Sequence, residues 1–216
     1  MVELDSLHPN ISTAMGKVYT ILSNAPDREM HIAKYVHSEL YKRVQSTETS
    51  TTVCDRVVDL LSACDETKKR IFEHLEGLER ASNESAKAMD ALSDVSASIV
   101  SSSASYRASA ENLRVRQAAM TNHAPQYARY DDRLGEVSTI KASFGMTKGL
   151  ADAQHATWKG FHGRIDRMSS TVEGWMETKQ GTRSCDVSQQ AFTSFKDGFC
   201  FEAQQAVGPF SHDLFC

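Results

Sequence analysis

The sequence predicts an all-α protein, an elongated helical bundle or coiled coil with one very long helix and a second helix after a proline break. Proline is absent between Pro26 and Pro125, and Gly77 is the only glycine there, so this stretch is hard to build from strands joined by turns. Ten positions also recur at intervals of seven: Val57, Cys64, Ile71, Leu78, Ser85, Leu92, Ile99, Tyr106, Leu113 and Met120. A stripe with this spacing stays on one face only when a helix supercoils around a neighbour.

Residues 1–50 are predicted to form short N-terminal helices. Apolar side chains recur at helical spacing over about residues 10–23. We expect Asn24 to cap a second helix, with Pro26 in its first turn, where an amide hydrogen is not needed. This second helix is predicted to continue to about Val44.

Residues 51–124 are predicted to contain the long helix, from about residue 53 to 122. The polar stretch 45–52 is expected to separate the long helix from the preceding one, since Thr52 and Asp55 match a capping box at its start. The alternative is a helix that runs straight through this stretch. The predicted partner-binding face consists of Val57, Leu61, Cys64, Ile71, Leu75, Leu78, Met89, Leu92, Ile99, Tyr106 and Leu113.

The long helix is predicted to bind its neighbour unevenly. Its second row of inward positions changes from leucine and methionine to serine and alanine beyond Ser93. Small side chains bury little apolar area, so we expect firm packing over residues 57–92 and a flexing or third-helix region beyond. The polar inward positions Lys68 and Gln117 are suited to fixing register or selecting a partner.

Residues 125–180 are predicted to form the second helix. Its face is rich in aromatic side chains and consists of Tyr130, Val137, Ile140, Phe144, Trp158, Phe161, Ile165, Met168, Val172 and Trp175. Six glycines lower its helix propensity, so the helix depends on packing. Bundle core is the favoured interpretation of this face, and a ligand pocket is the alternative.

Residues 181–216 differ in composition and are predicted to be a Phe-rich docking segment. Three of its phenylalanines share one helical face: Phe192, Phe195 and Phe199. We expect this segment to cap the bundle or to dock on a partner.

Charge and cysteine content exclude several classes of protein. The net charge is −4 with both signs mixed, which argues against a nucleic-acid-binding protein with a basic stripe. No apolar run approaches the ~20 residues of a membrane span, and the first residues do not resemble a secretion signal. Five cysteines without metal-ligand spacing are typical of reduced thiols, so an intracellular location, cytoplasmic or nuclear, is predicted.

No motif in the sequence indicates an enzyme, a cofactor or a metal. His155 and His162 share a helix face, but no Glu-x-x-His unit of the di-iron bundles accompanies them, so surface histidines are the favoured interpretation. No base is positioned by sequence beside Cys185 or Cys200, as a nucleophile would require.

The predicted function is therefore that of a non-catalytic coiled-coil scaffold subunit in a cytoskeletal, kinetochore-like or tethering complex. Its predicted partners are other coiled-coil proteins, as homo- or hetero-oligomers. An intrachain hairpin that buries the stripe within one molecule is left open. The alternative function is a membrane-associating helical dimer of the curvature-sensing (BAR-like) type, against which the net negative charge argues.

Overall fold

The computed structural model describes residues 2–43, 53–116, 124–179, 182–185, 193–195 and 197–198. The prediction of an all-α protein is confirmed. The elements are α1 (Val2–Ser23), α2 (Ala25–Tyr35) with a π-helical continuation (Val36–Tyr41), α3 (Val53–Arg116), α4 (Ala124–Glu173), β1 (Met176–Lys179) and β2 (Thr182–Cys185). The break predicted at residues 45–52 lies outside the described residues.

The junction between α1 and α2 lies at Asn24, as the sequence predicts, but Asn24 does not cap α2 with its side chain. Its backbone is helical (φ −88°, ψ −8°), and no side-chain cap hydrogen bond forms. A capping side chain normally requires an extended backbone at this position. Pro26 does occupy the first turn of α2, and Arg28 N donates to Asn24 O at 3.2 Å.

The second long helix ends earlier than residue 180, because α4 stops at Glu173 and an antiparallel hairpin follows. The amide of Gly174 still donates to Ser170 O at 3.1 Å. A side chain at Gly174 would press against Thr171 O at 3.3 Å, so glycine suits this helix end. In the hairpin, Met176 pairs with Cys185 and Lys179 pairs with Thr182.

The chain divides into two compact units. Unit 1 combines Met1–Thr20 with Arg80–Ala151, and unit 2 combines Ile21–Glu79 with Asp152–Cys216. Helices α1, α3 and α4 each contribute one segment to each unit.

Unit 2 has a large apolar core between α2, α3 and α4. On α3, the stripe positions are buried, as Val57 and Cys64 show. The positions three residues after the stripe are buried as well: Leu60, Thr67 and His74. The buried face of α3 is therefore wider than the face that a helix buries in a two-stranded coiled coil. Such a width indicates packing against more than one helix. The core consists of Ala25, Ile32, Ala33, Val36, Leu40, Val57, Leu60, Ala63, Cys64, Ile71, Leu75, Leu78, Trp158, Phe161, Ile165, Met168 and Val172.

Unit 1 has a smaller core in which small and polar side chains replace many of the large ones. Its buried apolar residues are Val18, Ala81, Ala88, Leu92, Val95, Ala110, Val137, Phe144 and Ala151. Serine is buried beside them at Ser82, Ser85 and Ser103. Hydroxyl contacts link the two long helices here, with Ser85 Oγ 3.3 Å from Thr147 Oγ1 and Lys141 Nζ donating to Ser93 Oγ at 2.7 Å.

Candidate functional site

The predicted partner-binding face of α3 is covered, over much of its length, by other helices of the same chain. In unit 2, Leu61 is half-buried and the other members are buried: Val57, Cys64, Ile71, Leu75 and Leu78. In unit 1, Leu92 is buried, and Met89, Ile99 and Tyr106 are half-buried. The side chain of Leu113 lies outside the described ones. A partner helix that paired with the unit 2 part would have to displace α2 or α4, so an intrachain bundle already accounts for that burial.

The second predicted face, on α4, is likewise bundle core in both units. Within unit 1, Val137 and Phe144 are buried, and Tyr130 and Ile140 are half-buried. Within unit 2, Trp175 is half-buried, and the remaining members are buried: Trp158, Phe161, Ile165, Met168 and Val172.

Of the predicted docking tail, Phe195 is described, whereas Phe192 and Phe199 lie outside the described residues. Phe195 is half-buried and packs edge-to-face on Trp175, with ring centroids 5.1 Å apart. It contributes to the edge of the unit 2 core. The side chain at this one position therefore caps the bundle.

A buried polar cluster joins α2, α3 and α4 within unit 2. Trp158 Nε1 donates to Glu29 Oε1 at 2.9 Å, and His74 Nε2 lies 3.3 Å from the same oxygen. The His74 and Trp158 rings meet edge-to-face at 5.4 Å. Glu29 is 1% exposed and His74 is 3% exposed, so both groups have left water and depend on each other for hydrogen bonds.

Sequence reasoning missed this cluster. Trp158 is predicted as core, but Glu29 fits equally well as an acid that favours the start of a helix dipole. The signal was in the spacing, because Glu29 continues the inward series of Ala25, Ile32 and Val36 at helical intervals. A carboxylate in such a series must find a buried partner.

The cluster is enclosed, and this limits what it can do chemically. A general acid or base must lie within hydrogen-bond reach of its substrate. Glu29 instead directs Oε1 at two side chains of its own protein, and both rings surround it from other helices. In this geometry the cluster fixes the register of α2 against α3 and α4 within unit 2.

Lys68 links α3 to α4 within unit 2. Its Nζ lies 2.9 Å from Asp65 Oδ1 and 3.4 Å from Asp166 Oδ1, and it donates to Ser169 Oγ at 3.3 Å. Burial lowers the pKa of Lys68, but hydrogen bonds and charges from Asp65 and Asp166 outweigh it and raise the pKa above its ordinary value. The polar contacts of Lys68 described here are therefore made within the chain itself.

The described cysteine and histidine side chains include no reactive thiol and no set of metal ligands. Burial raises the pKa of the Cys64 thiol to about 12, which keeps it protonated and unreactive near neutral pH. His155 and His162 are half-buried on α4. Among the described side chains, no three His, Cys, Asp or Glu residues converge as metal ligands. The side chains of Cys185 and Cys200 lie outside the described ones.

An apolar groove of about 750 Å³ opens in unit 1. Six aliphatic side chains from α1, α3 and α4 line it: Ile11, Met15, Leu92, Val95, Val137 and Ile140. Its rim carries an exposed ion pair, with Arg133 Nη1 3.4 Å from Glu136 Oε2. A groove of this size between helices, with an apolar wall and few polar groups, is typical of binding sites.

Among the described side chains, unit 1 exposes more large hydrophobic ones than unit 2. Met146 and Leu150, one turn apart on α4, are 74% and 52% exposed. Among the described residues, the exposed large hydrophobics of unit 1 are Met15, Tyr19, Val100, Met146 and Leu150, whereas those of unit 2 are Met30 and Phe72. Met146 and Leu150 are neighbours on one side of α4, and adjoining exposed apolar side chains are typical of an interaction surface.

Comparison with protein-family models gives no match, and none of the curated proteins compared is a detectable relative of this chain. Among the helices that the structure describes, none combines the length and the apolar character that crossing a membrane requires. The candidate site therefore rests on the geometry of unit 1: the groove beside α1 and the exposed apolar pair on α4.

Proposed function

We propose that this protein is a non-catalytic helical scaffold subunit that joins an assembly by pairing with helices of other molecules through unit 1. The observation that carries the proposal is the pair Met146 and Leu150, which occupy successive turns on the same side of α4 and remain exposed. Beside them, Gly149 has no atom within 4 Å of the position where a side chain would begin. A second helix can approach closely at such a place.

The energetics favour a helical partner on this face. Full burial of a leucine side chain contributes about 1.5–3 kcal/mol, and Leu150, which is 52% exposed, still has roughly half of that to gain. Two such side chains on successive turns of α4 give a docking helix two anchors on one line.

The partners in this proposal are coiled-coil or bundle helices, either from a second copy or from other subunits. Cytoskeletal, kinetochore-like and tethering complexes are the assemblies in which such subunits are expected. An intracellular location, cytoplasmic or nuclear, is part of the same proposal.

The test uses the full chain and a double variant, Met146→Asp with Leu150→Asp. Light scattering over a range of concentrations measures self-association, and size fractionation of an extract of the native host measures the mass of the endogenous complex. We expect the double variant to weaken association by about tenfold or more, since a loss of about 1.4 kcal/mol is tenfold in affinity.

Phe72→Asp is the matched control, because Phe72 is an exposed aromatic side chain in unit 2. It changes apolar to acidic in the same way, and we expect association to remain as in the wild type. A wild-type chain that is monomeric both when pure and in the host extract contradicts the proposal.

A further inference from the structure

The groove of unit 1 leaves apolar side chains partly open to water. Each of three helices contributes two aliphatic side chains to its walls: Ile11 and Met15 from α1, Leu92 and Val95 from α3, and Val137 and Ile140 from α4. Met15 is 44% exposed, and Ile11 and Ile140 are half-buried. A ligand that fills the space of about 750 Å³ removes this surface from water, and apolar burial is the main source of affinity at such a site.

The walls of the groove match a hydrocarbon chain rather than a polar or planar molecule. Among the described residues that line it, the uncharged polar side chains are Ser12 and Thr139, and both are exposed. Thr139 Oγ1 already donates to Gly135 O at 3.0 Å, within α4. The described lining contains no aromatic ring on which a flat ligand could stack. A flexible saturated chain needs neither hydrogen bonds nor stacking, so it fits these walls.

Charge lies toward one end of the groove. Along α4, its lining runs from Arg133 to Ile140, a rise of roughly 10 Å along the helix axis. The charged residues Arg133 and Glu136 belong to the beginning of this span, and the aliphatic Ile140 belongs to its end. The planar guanidinium of arginine suits a carboxylate, which can accept two parallel hydrogen bonds from it. A molecule with one carboxylate and one hydrocarbon tail therefore matches both ends.

Glu136 is the present partner of Arg133 and competes with such a ligand. Arg133 Nη1 lies 3.4 Å from Glu136 Oε2, and the two side chains are 50% and 60% exposed. Exposed ion pairs of this kind contribute little to stability, so Arg133 can turn from Glu136 to a ligand at low cost. Glu136 also repels a carboxylate at the same rim, so removing its charge is expected to favour the ligand.

We propose that the groove of unit 1 binds one long-chain fatty acid from solution. Its hydrocarbon tail lies between α1, α3 and α4, and its carboxylate binds Arg133. The cation at one end of an otherwise aliphatic groove is what selects a fatty acid over an uncharged hydrocarbon. This site is separate from the Met146 and Leu150 face, and it does not depend on the proposed function.

The first experiment titrates the full chain, labelled with ¹³C-methyl methionine, with decanoate below its micelle concentration at pH 8. Nuclear magnetic resonance then reports on methionines inside and outside the groove. We expect a saturable shift of the Met15 methyl signal, and no shift for Met30 in unit 2 or for Met146. Octanoate, decanoate and dodecanoate are expected to bind with affinity that rises about two- to fourfold per methylene.

Two tryptophan variants test whether the tail occupies the groove. Ile140→Trp fills part of the space, and we expect calorimetry to show decanoate affinity at least tenfold lower. Val100→Trp is the matched control, because Val100 is 55% exposed on α3 in unit 1 and lies outside the described lining. We expect it to change affinity less than twofold. If circular dichroism shows that Ile140→Trp has lost helix, Met15→Trp replaces it.

Two charge variants test the carboxylate contact, with decanol as the uncharged probe of equal length. Arg133→Gln is expected to weaken decanoate binding about fivefold, and Glu136→Gln to strengthen it severalfold, since one attraction or one repulsion is lost. Neither change is expected to alter decanol binding more than twofold. Decanoate and decanol affinities that respond alike to Arg133→Gln overturn the assignment of Arg133 to the carboxylate.

The remaining outcomes decide the source of the acyl chain. Vesicles of neutral phosphatidylcholine are expected to leave the Met15 methyl signal unchanged. A Met15 shift with vesicles but none with decanoate overturns the proposal, as does decanoate binding that Ile140→Trp and Val100→Trp weaken equally. A chain that binds decanoate yet remains monomeric in its host extract supports the fatty-acid site and contradicts the scaffold function.

Discussion

Unit 2 and unit 1 share three helices and one heptad stripe, yet they differ in how completely they bury it. Unit 2 has seventeen buried apolar residues among the described ones, including Trp158 and Phe161, whereas unit 1 has nine, four of which are alanine. Unit 2 also contains a closed polar cluster, and unit 1 contains an open groove. The stripe alone therefore does not determine how firmly a helix is held.

The difference arises from the positions beside the stripe. In unit 2, the residues three after the stripe positions include Leu60 and His74, which reach a neighbouring helix. In unit 1, the equivalent residues include Ala81 and Ala88, which are buried but short. Buried apolar area scales with side-chain size, so the same helix gains less free energy in unit 1.

The largest expected effect comes from truncating one leucine of the heptad stripe in each unit. Leu78 and Leu92 are both 1% exposed and both lie on α3, but Leu92 lines the groove. We expect Leu78→Ala to lower the free energy of unfolding by about 4 kcal/mol and Leu92→Ala by about 2–3 kcal/mol, because the wall beside Leu92 is already open. Denaturant unfolding of each variant measures this, and equal losses would remove the distinction between the units.

The second effect concerns the polar cluster of unit 2. Glu29→Ala leaves the indole N–H of Trp158 and the His74 ring without their buried acceptor, and we expect a loss of about 3 kcal/mol. Glu29→Gln retains a carbonyl oxygen for Trp158, so its loss is expected to be about half as large. A Glu29→Ala protein as stable as the wild type in thermal and denaturant unfolding would show that the cluster does not hold the helices together.

The third effect is a loss of folding stability at alkaline pH. The thiol of Cys64 loses its proton near pH 9 in the unfolded chain, but burial raises its pKa to about 12 in the folded protein. The stabilisation that comes from the buried thiol is fully present below about pH 9. The free energy of unfolding then falls by about 1.4 kcal/mol per pH unit as the pH rises toward 12.

Denaturant unfolding between pH 8 and pH 11, roughly spanning this titration, measures the effect. Cys64→Ala is the control, because it removes the thiol from a buried position, and its stability is expected to fall less steeply with pH. Parallel slopes for the variant and the wild type would assign the alkaline loss to other groups, such as Lys68, whose pKa is also raised.

The smallest effect comes from two exposed glycines of α4. Gly149 in unit 1 and Gly160 in unit 2 each have nothing within 4 Å of a would-be Cβ atom. Replacing either with alanine is expected to raise the free energy of unfolding by about 0.5–1 kcal/mol. Gly149→Ala is also expected to weaken association, whereas Gly160→Ala is not, so light scattering of the two variants distinguishes a docking position from an ordinary glycine.

The sequence by itself determined the helices and which of their faces are apolar. The scarcity of glycine and proline between Pro26 and Pro125 favoured helices over strands there. The sequence also predicted weaker packing beyond Ser93, whereas small buried residues of unit 1 begin earlier, with Ala81, Ser82, Ser85 and Ala88. These are local properties, since propensity and a seven-residue period depend only on neighbours along the chain.

The tertiary structure alone decided what each face meets. A periodic stripe shows that Ile71 points toward a neighbour, but the neighbour is identified only when α2 and α4 are in place. Glu29 is held between His74 and Trp158 because three helices converge there, and the groove beside α1 exists because side chains of α1, α3 and α4 line it without filling it. Both features arise between residues far apart in sequence, where periodicity carries no information about distance or shape.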